Sequence, residues 1–498
     1  MTFDVPTLDH ALLVGAGVLL LAILAVRLSV GIGFPSLLVY LFMGVAMGES
    51  GLGLHFSNVN VAYALGFAAL MIILAEGGLT TPWKQIRPVL RIGFALATIG
   101  VAVSVTLVAV LTHYLLGLDW RTAVLLGAVT SPTDAAAVFS MLRRVPLPRR
   151  ITATLEAESG LNDAPTVVLV TLVSTHASGF GWSSVGEVVY ELIVGVALGF
   201  AVGWLGGQMM RRVALPSSGL YPTAVMAIAI LGYAAPASIH ASGFAGVYVA
   251  TLVLGNSELP HRAATRSFAE GLAWLAQIGL FVMLGLLSSP GRFDWSVIGT
   301  ALAAGALLTL IARPASVAVS SLVQPMPWRE AAFISWAGLR GAVPIVLAMI
   351  PFAKNIPHSQ HLWDVVFVMV VIFTLITGPT LPFVAKVLKV ARRSEPRDLE
   401  VEAAPLERIA ADLLQVRISP VSQLHGVEVG ELRLPNGASV SLVVRDGQSL
   451  VPEGRTVLRH GDDLLVVAPR SVREKTEQRL RDVSARGRLA NWLSSTDK

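Results

Sequence analysis

Long apolar segments separated by short connections fill roughly the first 390 residues of this chain, and they constrain its fold more than any other feature. A bilayer-crossing helix needs about 20 apolar residues. Thirteen windows approach or exceed that length, at 8–27, 32–48, 59–77, 90–115, 121–142, 150–174, 185–210, 219–237, 240–255, 267–288, 295–320, 330–351 and 363–388. The composition agrees, since 54% of residues are hydrophobic and only 14% are charged. We therefore predict an α-helical polytopic membrane protein with about 13 transmembrane helices.

Lysine and arginine lie mainly in alternate connections between these windows. The other set of connections carries only Arg121, Arg292 and Lys354. Because positive residues mark cytoplasmic loops, we predict a multi-pass protein of the cytoplasmic (inner) cell membrane, with its N-terminus outside and its C-terminus in the cytoplasm. The net charge of +5 is scattered and forms no basic face, so membrane lipid and not nucleic acid is the expected surroundings.

Two of the predicted helices contain residues that break helices. Pro132 lies in the fifth window, and Gly338, Gly341 and Pro344 lie in the twelfth. Backbone groups freed inside a membrane must be satisfied by protein, water or ions, so such breaks indicate a functional cavity. Packing is the alternative, because glycine and proline are common in membrane helices. Their separation by seven windows reverses orientation, which predicts inverted repeats with two interrupted helices that cross at the bilayer midplane.

Ionisable side chains lie in the same apolar segments. Asp134 follows the first break, Glu156 and Asp163 lie in the sixth window, and Arg340 lies in the second break. Charges at membrane depth are costly, so they indicate an ion or proton pathway. Glu158 is interpreted instead as a polar residue near a helix start, where surface pairing is common and weak, and it is left outside the predicted site.

Asp163 is the predicted carrier of this pathway. One carboxylate that binds either a proton or a monovalent cation must move the two in opposite directions. Ser159 lies four residues earlier on the same helical face, and Thr133 can supply a hydroxyl beside the loosened backbone. The predicted cation site is therefore Asp163, Thr133 and Ser159, with Asp134 as a second acid nearby.

Four motifs extend this interpretation: Ala75–Leu79, Thr130–Ala135, Leu155–Asp163 and Gly338–Pro344. In order and spacing they resemble the monovalent cation:proton antiporter-1 family, and flanking segments look like its bacterial potassium/proton antiporters. One departure is Ala164, where many members have proline.

The resemblance assigns further roles. It implies that Asn162 accompanies electroneutral exchange and that Glu76 lies near the cation path. It also implies that Arg340 pairs with Glu156 to hold the interrupted helix in place.

The composition changes near residue 390. A charged, proline-bearing linker is predicted at 391–408, after the transmembrane exchanger domain at 1–390. Short apolar runs separated by turns then predict a small α+β domain at 409–480, followed by a basic tail at 481–498. The predicted strands are Leu413–Ile418, Ala438–Val444, Thr456–Leu458 and Asp463–Val467, with a helix at about 470–480.

The turns of this small domain carry a second resemblance. Val443–Gly447, Val451–Gly454 and Leu458–Val467 resemble the TrkA-C (RCK-C) regulatory domain of potassium transport proteins. That resemblance implies a homodimer and a small regulatory ligand, for example a cyclic dinucleotide.

We expect a secondary antiporter, not an enzyme, that exchanges cytoplasmic potassium for protons, electroneutrally, in cation and pH homeostasis. Sodium/proton exchange is the main alternative, because the same oxygen ligands serve both ions. A channel is less consistent, since no Thr-Val-Gly-Tyr-Gly filter occurs. An intramembrane aspartyl protease could use Asp134 and Asp163, but no Gly-x-Gly-Asp signature accompanies them. The chain has no cysteine, which excludes thiolate metal sites, and no cofactor is expected.

Overall fold

The chain divides into two compact units, Met1–Ala391 and Arg392–Lys498. The computed structural model describes residues 5–32, 35–49, 51–54, 56, 58–142, 145, 147–175, 182–391, 399–406, 411–420, 422–469 and 471–487. Parts of the predicted linker and most of the predicted basic tail lie outside these described residues.

In its described residues the first unit contains helices and no β-strand. The helices are α1 Val5–Ile32, α2 Ser36–Met47, α3 Val59–Thr80, α4 Trp83–Ile86, α5 Leu90–Ala95, α6 Val101–Leu116, α7 Trp120–Thr130, α8 Ala135–Met141, α9 Arg149–Thr175, α10 Trp182–Arg212, α11 Leu220–Ala237, α12 Gly243–Gly255, α13 Arg262–Leu287, α14 Trp295–Leu307, α15 Arg313–Ser320, α16 Trp328–Trp336, α17 Ala342–Ala353 and α18 Ser359–Val387. Each of the thirteen predicted windows coincides with one helix or with consecutive helical pieces.

Length and hydropathy support a membrane location for these helices. Within the described residues, seven helical runs are long and apolar enough to cross a membrane, and the bent pair α7 and α8 makes an eighth. The run Trp83–Leu116 joins α4 to α6, and Trp295–Ser320 joins α14 to α15. Helix α9 is long enough but too polar to qualify, since it carries Glu156, Glu158 and Asp163. The predicted site thus lies on the least apolar of the long helices.

Several helices begin at a polar side chain that caps the first turn. Asn58 accepts a hydrogen bond from the Val61 amide at 3.1 Å, and Asp119 accepts one from the Thr122 amide at 3.0 Å. Asp294 caps α14 in the same way. Such caps satisfy amide groups that have no partner within the helix. These starts all lie on the side that the charge pattern predicts to be outside.

The helices of the first unit pack as two groups. Helices α1 to α3 pack mainly with α10 to α13, and α4 to α9 pack mainly with α14 to α18. The groups meet where α9 and α17 face α3, α10 and α12.

Both predicted breaks occur. Helices α7 and α8 are separated by Ser131 to Asp134 and bend by 52°. Helices α16 and α17 are separated by residues 337–341. The breaks touch each other, because the Asp134 amide donates to the Leu339 carbonyl at 2.8 Å. Two helices that are each interrupted therefore cross at their interruptions.

The second unit is an antiparallel five-stranded sheet with the strand order β1-β2-β5-β3-β4. The strands are β1 Leu399–Leu406, β2 Ala411–Ile418, β3 Ser439–Arg445, β4 Gln448–Leu450 and β5 Asp463–Pro469, and helix α19 spans Arg473–Arg486. Alternate residues of β2 and β5 form a separate hydrophobic core with Leu480 of α19.

Three details of this unit differ from the sequence prediction, the first being that Gln448–Leu450 forms the short strand β4, which was not predicted. Leu399–Leu406 forms β1 within the predicted linker, because its charged and apolar residues alternate and an edge strand tolerates Pro405. Thr456–Leu458 does not form a strand, although Val457 makes a single bridge to Glu428.

Candidate functional site: the crossing of the interrupted helices

At the crossing, the ends of the half-helices are bound by two charged side chains, Asp134 and Arg340. Asp134 is the N-cap of α8, where its carboxylate accepts from the Ala137 amide at 3.1 Å. Arg340 lies at the C-terminal ends of α7 and α16, where its Nε donates to the Thr130 carbonyl at 3.1 Å and its Nη1 donates to the Gly338 carbonyl. Helix N-termini favour negative charge and C-termini favour positive charge. The crossing is thus electrostatically matched by one acid and one base.

The crossing requires glycine at position 341. A Cβ atom added to Gly341 would lie 2.9 Å from Asp134 Cγ, which is closer than non-bonded carbon atoms approach. The carboxylate of the first break therefore packs directly on the backbone of the second.

Helix α9 lies against this crossing with its predicted polar face. Asn162 Nδ2 donates to Thr133 Oγ1 at 3.0 Å, and Ser159 Oγ accepts from the Ala135 amide at 3.3 Å. The Asp163 side chain is 8% exposed, and Asp134 interacts with it electrostatically. Five of the predicted site residues are therefore close together: Asp163, Asp134, Thr133, Ser159 and Asn162.

Two oxygen atoms at this place have no hydrogen-bond partner among the described residues. They are Asp163 Oδ1 and Asn162 Oδ1, and both are buried. Leaving a buried acceptor unsatisfied costs free energy, so each such atom calls for a partner, for example a bound ion or a water molecule. Oxygen is the ligand that hard monovalent cations prefer, and the donor set here fits such an ion.

The predicted ion pair between Arg340 and Glu156 is not formed among the described residues. Arg340 instead bonds to the carbonyl groups at the crossing, and Glu158 forms the buried pair, with Arg313 of α15. The two Arg313–Glu158 bonds measure 2.5 and 2.8 Å, and the residues are 3% and 1% exposed. Glu156 lies on a different face of α9 from Glu158, because a separation of two residues corresponds to about 200° of helical rotation.

This correction also identifies a residue that the sequence interpretation missed. Arg313 is an arginine within the apolar window 295–320, so the same criterion that selected Arg340 could have selected it. Arg313 Nη2 also contacts the Ile334 carbonyl at 3.4 Å. The buried pair therefore ties α9 to α15 and α16, behind the crossing.

Glu76 is the remaining predicted site residue. It is half-buried on α3, in the other helix group, and interacts electrostatically with Glu270 of α13. No hydrogen bond joins its carboxylate to the site residues of α9 in the described part of the chain. Glu76 therefore lies in the helix group that faces the site and makes no hydrogen bond to the cluster around Asp163 in the described residues.

Comparison with known families agrees with this architecture. The family described as sodium/hydrogen exchanger, transmembrane, matches residues 17–387. The TrkA-C domain matches residues 413–481. The two matches coincide with the helical unit and with the sheet unit.

Curated relatives match nearly the whole chain. A K(+)/H(+) antiporter NhaP of Alkalimonas amylolytica is 36% identical over 90% of this chain and 79% of its own length. A K(+)/H(+) antiporter NhaP2 of Shewanella baltica is 34% identical over 93% of this chain and 82% of its own length. Among solved structures, the sodium proton antiporter MjNhaP1 from Methanocaldococcus jannaschii has a TM-score of 0.66 at 20% identity. That match covers 76% of this chain and 99% of the other.

Proposed function

Because this chain belongs to the sodium/hydrogen exchanger family, we propose that it is a secondary antiporter that exchanges cytoplasmic potassium for protons. The observation that carries the proposal is the buried Asp163, which lies beside the crossing of two interrupted helices and whose Oδ1 has no hydrogen-bond partner among the described residues. A carboxylate in that position can bind a proton or a cation but not both. Competition for it couples the two fluxes, and transport instead of catalysis follows from the same chemistry.

The proposed cation site consists of Asp163 with the hydroxyl groups of Ser159 and Thr133. Asn162 supplies an amide oxygen, and Asp134 is the second acid. The hydrogen bonds between α9 and the first break support this set, because they fix the side chains of Thr133 and Ser159 in place. Glu76 is proposed to lie along the approach to the site, from the facing helix group.

Exchange is proposed to be electroneutral, with one cation for one proton. Residue 162 is an amide, so Asp163 is the only acid of the Asn162–Asp163 pair. The positive charge of Arg340 is matched locally by helix-end carbonyl groups, and that of Arg313 by Glu158. These fixed pairs leave the carboxylate of Asp163 free to exchange its own ligand.

Potassium is proposed over sodium for two reasons. The relatives that are 34–36% identical are named as K(+)/H(+) antiporters, and the TrkA-C match accompanies them. Sodium/proton exchange is the second candidate, because an Na(+)/H(+) antiporter ApNhaP of Aphanothece halophytica is 28% identical over 76% of this chain. The oxygen ligands alone do not distinguish the two ions.

The protein is proposed to lie in the cytoplasmic membrane, with its N-terminus outside and its sheet unit in the cytoplasm. The excess of arginine and lysine in alternate connections supports this orientation. We propose further that the sheet unit pairs in a homodimer and binds a small regulatory ligand such as a cyclic dinucleotide. An open surface groove lined by both basic and acidic residues, among them Arg433, Lys475 and Glu474, is the place proposed for this ligand.

Inverted membrane vesicles test the transport proposal. A proton gradient is formed, and proton release is measured after addition of potassium, sodium or lithium. We expect potassium to release protons at the lowest concentration, without a membrane-potential change. Release by sodium alone would select the second candidate. Cation movement without proton coupling would indicate a channel, and peptide cleavage would indicate a protease.

A further inference from the structure

Tyr248 reaches from α12 onto α9 where the two helix groups meet. Its side chain is 5% exposed and lies against Gly160. A Cβ atom at Gly160 would lie 2.6 Å from Tyr248 Cε2, and closer still to the end of the ring that carries the hydroxyl group. The ring therefore occupies the space in which any other residue at position 160 would have its side chain.

Gly160 lies between two carboxylates of α9. Glu156 and Asp163 are seven residues apart, which is about two helical turns and about 10 Å along one face. Glu156 is half-buried and has no hydrogen bond or ion pair among the described residues, whereas Asp163 is buried at the crossing. With its ring on Gly160, Tyr248 thus stands between a half-buried acid and an enclosed one.

We propose that Tyr248 is a gate that closes the path from Glu156 to Asp163 and that Gly160 provides the space for the closed ring. The proposal rests on the function proposed above, since it takes Asp163 as the carrier. With the ring on Gly160, the space beside Asp163 is separated from the end of α9 at which the helix begins. When the ring leaves α9, a cation held near Glu156 gains access to Asp163.

The position of Tyr248 explains why a tyrosine suits this role. The ring comes from one helix group and the glycine from the other, so movement of either group changes their contact. The aromatic face fills the gap next to a glycine backbone, and the hydroxyl group tolerates the polar ends of the path. An antiporter needs such a barrier, because a continuously open path would let cations and protons leak.

Thiol labelling tests the gate directly, because the chain contains no cysteine of its own. The full-length D163C variant is labelled in inverted vesicles with a membrane-impermeant cationic thiol reagent. If the gate is closed about 90% of the time or more, adding Y248A should accelerate labelling about tenfold or more. Y248F is the matched control and should leave the rate unchanged, since it keeps the ring. Equal rates in D163C and D163C/Y248A would overturn the proposal.

Two further variants keep the gate testable if the Y248A protein does not fold. Y248V removes the ring but keeps a larger apolar side chain than alanine, and G160A displaces the ring without altering it. Both should accelerate labelling in vesicles that contain properly folded protein, as judged by size-exclusion chromatography. If neither does, the gate is wrong. Labelling requires no transport, so absence of proton release in the native protein would overturn the proposed function and leave this measurement valid.

Discussion

Asp163 can act as the carrier only if its carboxylate titrates and binds a cation in turn. We therefore expect D163N to abolish cation-induced proton release, because an amide does not titrate and so cannot alternate between a proton and a cation. The carboxylamide is isosteric, so the protein should remain folded. Release is measured in vesicles, and folding is measured by thermal unfolding of the purified protein. Substantial remaining antiport would remove Asp163 from the proposed role.

The pair of Glu158 with Arg313 yields a prediction opposite to the one that the sequence favours. E158Q should destabilise the protein by about 3–5 kcal/mol, because Arg313 would keep a buried charge without its partner. E156Q is the matched control on the same helix and should change the free energy of unfolding little.

A double-mutant cycle with R313M separates pairing from other effects of these substitutions. The loss in E158Q/R313M should be smaller than the sum of the single losses, measured by thermal unfolding in detergent. Additive losses would show that the two residues act independently.

Asp462 gives the sheet unit a defined pH dependence. Burial opposes its ionisation, but hydrogen bonds from Arg445 and from the Arg459 amide outweigh it and hold the pKa of Asp462 below its ordinary value. A carboxyl group with a lowered pKa in the folded state stabilises that state above its unfolded pKa of about 4 and loses this effect as the pH falls through the folded value.

We therefore expect D462N to make the amides of β3 and β5 exchange faster at pH 7, with a smaller difference from the native protein as the solution becomes acidic. Hydrogen exchange of the full chain measures this. D463N is the control, since its contact with Arg417 is 4.0 Å long and exposed, and it should have little effect. Protection that is unchanged in D462N would contradict the role of this residue.

At the scale of helices, the crossing depends on the close contact between its two breaks. G341A should place a methyl group against the Asp134 carboxylate, which should cost about 1–3 kcal/mol of stability and reduce transport. G299A is the matched control, because a Cβ there meets nothing within 4 Å and helix α14 should gain slightly from alanine. Thermal unfolding and proton release measure both effects. Equal behaviour of the two variants would contradict the contact.

Most of the helices could be predicted because a membrane imposes length and hydropathy on each segment separately. The breaks could also be predicted, since Pro132 and Gly338 act on the local backbone. Asp163 and Ser159 could be placed together for a similar reason, because their spacing puts them on one side of α9, whereas Asn162 was assigned by the resemblance to a family.

Partners from distant segments could not be predicted in this way. Arg313 pairs with Glu158 across 155 residues, and hydropathy contains no information about which helices become neighbours. The resemblance to a family assigned Arg340 to Glu156, whereas Arg340 donates to the carbonyl groups of Thr130 and Gly338 instead. The same limit applies to Tyr248 and Gly160, which meet only because α12 packs on α9. Strand β1 was missed because its charged residues are also typical of a linker.

At the scale of the molecule, the chain joins a helical unit that contains the proposed cation site to a sheet unit with its own hydrophobic core. Every group assigned to transport lies before residue 350, so removal of Arg392–Lys498 should leave antiport measurable. What should change is its dependence on pH or on a ligand. A ligand can alter activity only through a difference in its affinity for two conformations of the protein.

Cyclic dinucleotides are the first ligands to test for that effect. Binding to the full chain should be accompanied by altered proton release in vesicles, and the truncated protein should lose both responses while it retains exchange. A point substitution in the groove, Lys475→Ala, is the matched control, because it should weaken ligand binding without removing the unit. If the truncated and intact proteins respond identically across pH and ligands, the sheet unit serves assembly or stability. The TrkA-C match would then no longer favour potassium over sodium.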